Sequence, residues 1–159
     1  MKRTILTVAT ILTLGLTSYS QTCDVKTTTD SYTGESKTET GFIKFNGGTY
    51  SLITKEYGIL FWLQLESIIS ITVYEGDFIY FKLSDNSVVK FTVENDSYSR
   101  YSSSRQYTNS FGLLLEGEQL EALKGKEVIG IKCRVNEYNL SAKQGLQLKN
   151  NVECISKTK

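Results

Sequence analysis

Ile79, Phe81 and Leu83 are followed by the polar run Ser84-Asp85-Asn86-Ser87 and then by Val89, Phe91 and Val93. Apolar residues at every second position line one face of a β-strand, so both segments present an apolar face on the same side of a tight turn. Such a face is stable only against a core. The hairpin therefore commits this region to an antiparallel, half-buried sheet. The surrounding sequence from Gly41 to Val93 continues in the same manner. Ile59-Leu60-Phe61-Trp62-Leu63 is apolar on both sides, as expected of a strand covered on both faces, and Trp62 is expected in the core. Ile69, Ile71 and Val73 alternate with polar residues and suggest a half-exposed strand.

The character of the chain changes after residue 110. Phe111 to Leu115 reads as a strand, and Glu118-Gln119-Leu120-Glu121-Ala122-Leu123-Lys124 reads as a short helix stopped by Gly125. The segment from Glu127 to Val135 alternates again, with Ile129, Ile131, Cys133 and Val135 expected on its apolar side. Tyr138 to Leu140 follows, then a helix capped by Ser141 and reaching about Ile155, with Leu148, Val152 and Ile155 on one side. Gly145 weakens that helix. The expected class is α+β, mainly β: an antiparallel sheet built from hairpins with one or two short helices in the C-terminal third. The chain contains no proline, so its turns must be made by glycine, asparagine, aspartate and serine.

The first twenty residues read as a signal peptide. Lys2 and Arg3 precede an apolar run from Ile5 to Leu16, and Ser18-Tyr19-Ser20 supplies small residues before a cleavage point. That run is twelve residues long, too short for the roughly 20 needed to span a bilayer. The expected mature chain, residues 21–159, is one exported domain with no membrane span, located in the periplasm, at the cell surface or outside the cell. Ser20-Gln21-Thr22 before Cys23 does not fit the small residues that precede a lipid-anchored cysteine. The mature chain carries 16 basic and 17 acidic residues, which argues against a nucleic-acid partner, because phosphate binding needs a basic footprint.

Three cysteines in an exported chain allow one disulfide. Cys133 lies in an apolar alternation and reads as a packed thiol. Cys23 and Cys154 lie near opposite ends of the mature chain, and domain termini often lie close together, so Cys23 is expected to pair with Cys154. The succession of Cys23, Asp30-Ser31-Tyr32-Thr33-Gly34, paired strands, Glu118 to Leu123, the strand from Ile129 to Val135 and a terminal helix holding Cys154 resembles that of uncharacterised exported bacterial β-rich domains. These have an early cysteine, an Asp-x-aromatic-Thr-Gly turn and a late cysteine. The resemblance implies export and supports the disulfide; it implies no activity.

The chain has no histidine, which excludes Ser-His-Asp and Cys-His catalysis and removes the commonest metal ligand. No pair of cysteines has zinc-binding spacing, and Asn46-Gly47-Gly48-Thr49 lacks the remaining glycine and the lysine of a phosphate loop. No cofactor, metal ligand or catalytic residue is expected. The competing reading is a small carboxylate-based hydrolase acting on polysaccharide or peptide, with Glu66, Glu75, Asp77 and Glu94 at strand ends. Against it stands the stretch from Asn95 to Asn109, where Tyr98, Arg100, Tyr101, Arg105 and Tyr107 are set among serine and other small polar residues. This composition is typical of recognition loops, in which aromatic rings supply contact area at small entropic cost. These five residues are the expected binding site of a structural or interaction module, its partner an envelope or extracellular protein or a glycan; the alternative reading is a mobile connector, the usual role of serine-rich polar stretches of this length.

Overall fold

The computed structural model describes residues 25–102 and 105–158. The expected signal segment, Cys23, and Ser103 and Ser104 of the tyrosine-rich stretch lie outside the described residues. In chain order the strands are β1 (Val25–Thr29), β2 (Ser36–Thr40), β3 (Ile43–Phe45), β4 (Gly48–Lys55), β5 (Gly58–Ser67), β6 (Thr72–Val73) and β7 (Phe78–Leu83). They continue with β8 (Val88–Thr92), β9 (Ser97–Tyr98), β10 (Arg100–Tyr101), β11 (Tyr107–Leu115), β12 (Val128–Cys133) and β13 (Asn136–Asn139). Helix α1 (Gly117–Gly125) joins β11 to β12, and helix α2 (Ala142–Ser156) follows β13. The α+β, mainly β class is as expected.

All strand pairings are antiparallel. The larger sheet runs β1-β2-β4-β5-β11-β10 with β3 beside β4, the smaller runs β13-β12-β7-β8, and β6 pairs with β9 as a short ribbon. Asp30-Ser31-Tyr32-Thr33-Gly34 makes the β1–β2 turn. There the Asp30 carboxylate accepts the amides of Tyr32 and Thr33, and Gly34 takes a positive φ, as turns of this kind require.

The inner faces of the two larger sheets meet through aromatic rings. Tyr50 of β4 stacks on Phe61 of β5 at 5.3 Å, Phe61 meets Phe81 of β7 edge-on at 5.4 Å, and Phe81 meets Phe91 of β8 at 5.0 Å. All four rings are buried. Offset and edge-on geometries suit the ring quadrupoles, so these contacts add specificity to plain area burial. Helix α2 contacts β12 of the smaller sheet and β2 and β4 of the larger, and its Leu148, Val152 and Ile155 are buried as expected. The Tyr50 hydroxyl, deep in the core, accepts a hydrogen bond from Asn151 of the same helix at 3.0 Å. Ser141 caps α2 through a reciprocal capping box with Gln144, which satisfies donors that the first helical turn leaves open.

Gly145, which weakens the helix as a sequence, is what lets it dock. A Cβ at this position would lie 2.4 Å from the carbonyl oxygen of Val128 on β12. In an exposed helix, Gly→Ala gains about 1 kcal/mol. Here Gly145→Ala is expected to lower stability, by about 2 kcal/mol, measured by urea denaturation; a gain would contradict the close approach of helix and strand.

Three sequence expectations are corrected. Trp62 is not in the core: it lies on the outer face of β5, 37% exposed, opposite Ser51 and Gly112. Apolar residues on both sides of β5 mimic double coverage, whereas only Ile59, Phe61, Leu63 and Leu65 point inward to full burial. Ile69 precedes β6 and is half-exposed rather than part of an alternating strand. The alternation assigned to Ile129, Ile131, Cys133 and Val135 is broken twice. A bulge between Val128 and Gly130 shifts the register, so that Val128, Ile131 and Cys133 point inward. Val135 falls in the turn after Arg134, which takes φ 52°, and is 77% exposed.

Cys133 is a free, buried thiol, as expected. Burial first, and the charge of Asp77 second, push its pKa up to about 11. Cys154 is buried on α2. Its proposed partner Cys23 precedes β1, whose Val25 pairs with Thr40 of β2, a strand that α2 touches. Non-reducing peptide mapping is expected to find Cys23 joined to Cys154, and native Cys133 to stay unalkylated at pH 8; a Cys133 adduct in the folded protein, or a bond from Cys133, would contradict this arrangement.

Candidate functional site

The tyrosine-rich stretch is held in place by Asn109, a fully buried polar residue on the inner side of β11. Its amide nitrogen donates to the carbonyls of Ser97 at 3.0 Å and Ile71 at 3.3 Å. Its Oδ1 lies 2.9 Å from the Ser99 hydroxyl. That hydroxyl accepts the Ile71 amide at 2.8 Å and lies 2.6 Å from the Ile71 carbonyl, so its single proton serves one oxygen at a time. Ser97 Oγ completes the set by donating to the carbonyl of Ser110. One side chain thus ties the β6–β9 ribbon to β11. Buried polar groups that are fully satisfied in this way rigidify and specify the elements they join.

On this support the five expected residues fall into two groups. Tyr101 pairs with Tyr107 across the β10–β11 ladder, and their rings meet edge-on at 5.4 Å. Tyr101 is exposed and Tyr107 half-buried. Arg100 pairs with Thr108 in the same ladder, and Arg105, with φ 62°, sits in the turn between the strands; both arginines are exposed. Tyr98 lies on the ribbon opposite Thr72 and donates its hydroxyl to Asp96 at 2.8 Å. This bond raises the Tyr98 pKa. The Asp96 carboxyl is held below its usual range, first by the Glu75 amide and then by Tyr98.

A bridge of residues that carry no local sequence signal joins the two groups. Tyr107 pairs with Ser67 at the end of β5, and Ser67 Oγ accepts the side-chain amide of Asn136 at 3.1 Å. Close to Asn136, in the β12–β13 turn, Arg134 is ion-paired with Asp77 and lies over the ring of Tyr74, 5.8 Å from its centroid. The Tyr74 amide, then Arg134, hold the Asp77 carboxyl low. Tyr74 follows β6, the ribbon strand paired with the one that carries Tyr98. Ile68, Ile69 and Val135, all exposed, flank this path. Ile68 is 83% exposed and stands next to exposed Ile69, so the two form an apolar patch rather than a single scattered residue. The candidate site is therefore a belt of aromatic and aliphatic side chains drawn from the end of β5, the β6–β9 ribbon, the β10–β11 hairpin and the β12–β13 turn.

Of the four carboxylates considered for hydrolysis, Asp77 is engaged by Arg134 and by the Tyr74 amide, and Glu66 lies on β5 opposite Thr108. Glu75 follows Tyr74, and Glu94 borders a groove that Trp62 and Asp96 also line. Glu66, Glu75 and Asp77 do not line that groove. No group of acidic residues and cysteines with metal-holding geometry is present among the described residues, and no described helix is long and apolar enough to cross a membrane. No family model, curated protein or solved structure matches the chain.

Removing the Asn109 amide would leave the Ser97 and Ile71 carbonyls short of a donor in the interior. Asn109→Ala is expected to lower stability by about 2–3 kcal/mol, read from the midpoint of urea unfolding. A loss below about 0.5 kcal/mol, the scale of an ordinary surface change, would show that the network is not what holds the ribbon.

Proposed function

We propose that the protein is an exported, non-enzymatic interaction module that docks an envelope or extracellular protein on the belt around Tyr98, Tyr101 and Ile68. The observation that carries this reading is the convergence of exposed aromatic and aliphatic side chains around the ribbon that Asn109 supports. Contiguous apolar exposure of this type, rimmed by polar groups, marks protein interfaces. Tyrosine and arginine are enriched at their centres. Ile68, Ile69 and Val135 favour a protein partner over a glycan, because aliphatic side chains offer sugars neither a flat ring face nor a hydrogen bond. Arg100, Arg105 and Arg134 supply guanidinium groups at the rim, where they act mainly on association rate. Asp77 and Asp96 serve as internal supports of the belt, which leaves them poorly placed for acid–base chemistry.

The test replaces exposed belt residues and leaves half-buried Tyr107 alone. The variant Tyr98→Ser, Tyr101→Ser, Ile68→Ser is expected to lose the binding partner that the unaltered protein retains from envelope extract, while thermal stability stays within about 0.5 kcal/mol. Retained capture of that partner by the variant would reject the belt as the docking surface. A large loss of stability would instead show these side chains to be structural.

A further inference from the structure

The outer face of the smaller sheet carries a second, chemically different surface. Across its four strands, one row runs Glu137, Lys132, Tyr80 and Lys90, and the next runs Asn139, Gly130, Lys82 and Val88. Strands about 4.8 Å apart make this face about 15 Å wide. Gly130, at the bulge, forms the floor of a depression of about 690 Å³ walled by Tyr80, Lys82, Lys132 and Asn139. A Cβ on Gly130 would meet only ordinary contacts at 3.5 Å and beyond, so packing does not demand glycine there. The face carries three ammonium groups and one carboxylate, of which Lys82, Lys132 and Glu137 line the depression. Glu137 is bonded to Lys132 at 2.8 Å, and Lys90 lies over the Phe78 ring, 3.3 Å from its centroid. Phe78 and Tyr80 are neighbours on this face, with ring centroids 6.2 Å apart.

From this geometry we infer that the depression centred on Gly130 binds an acidic saccharide, with a sugar ring laid on Tyr80 and its carboxylates held by Lys82 and Lys132. Net positive charge selects an anion, and a half-exposed ring in the same depression as the amide of Asn139 suits a polyhydroxylated ring better than a bare ion. A width of about 15 Å takes about three sugar units. Among the described strand residues of this face the cations are Lys82, Lys90 and Lys132, too few to follow a nucleic-acid backbone.

Titration of the ¹⁵N-labelled protein with tetragalacturonate tests this site, with maltotetraose as the neutral control and tetrapolyphosphate as the charge control. Saturable shifts of the Tyr80, Gly130, Lys132 and Asn139 amides are expected with tetragalacturonate and not with maltotetraose. Lys82→Ala with Lys132→Ala is expected to weaken binding about tenfold or more. Tyr80→Ala is expected to weaken tetragalacturonate about threefold or more while leaving any tetrapolyphosphate binding unchanged. Gly130→Val should fold, shown by unchanged amide shifts on the inner strand faces, and should not bind. Absence of saturable shifts, equal binding of maltotetraose, or an affinity for tetragalacturonate that ignores Tyr80 would overturn the assignment. If Gly130→Val fails to fold, the lysine and Tyr80 variants decide between these outcomes.

Discussion

The edge-on contact between Phe61 and Phe81 is where the two larger sheets meet, and the placement of the outer side chains of β5 and β7 depends on it. Because strand side chains alternate, locking Phe61 and Phe81 inward fixes which neighbours face solvent. Trp62 is turned out on one sheet, and Tyr80 and Lys82 are turned out on the other. A slip of one residue in either strand would exchange the two sets and, in β7, drive lysine into the core. The Tyr50–Phe61 stack extends this constraint across the larger sheet, and the Asn151 bond to Tyr50 extends it to α2.

The candidate docking belt depends on a polar device instead. The β6–β9 ribbon is only two residues long on each side, too short to be stable alone. Val73 and Ser97 anchor it from within, and Asn109 satisfies the backbone groups that this burial would otherwise strand. Tyr98 and Tyr74 therefore sit on a supported surface. Preorganisation of this kind reduces the entropy lost on association and suits an interface built from large rings.

Much of the fold is legible in the sequence because inward alternation is strong where it matters: Ile79, Phe81, Leu83, Val89, Phe91 and Val93 are all buried as a period of two requires. The two helices and the packed thiol of Cys133 are legible for similar reasons. Trp62 misleads because an exposed apolar residue in a strand looks the same as a buried one. Val135 misleads because neither a bulge nor the turn that follows leaves a mark on composition. The five tyrosine and arginine positions can be named from their local sequence, but Ile68, Tyr74, Arg134 and Val135 cannot, since tertiary pairing alone gathers them. Asn109 carries no usable signal, as a polar residue in a strand reads by default as solvent-facing. The lysines and Tyr80 follow the outward alternation, yet their shared face emerges only once β7, β8, β12 and β13 are set side by side.

Whether the belt is a preformed surface or a solvated connector is a question of motion on the picosecond to nanosecond scale. Backbone ¹⁵N order parameters for Ser67, Ile69, Val73, Ser97, Tyr98 and Ser99 answer it most directly. Values about 0.85, level with the amides of β5 and β7, are expected if the Asn109 network holds the belt in place. Values below about 0.6 across these residues would contradict a rigid docking surface and return the tyrosine-rich stretch to the role of a connector.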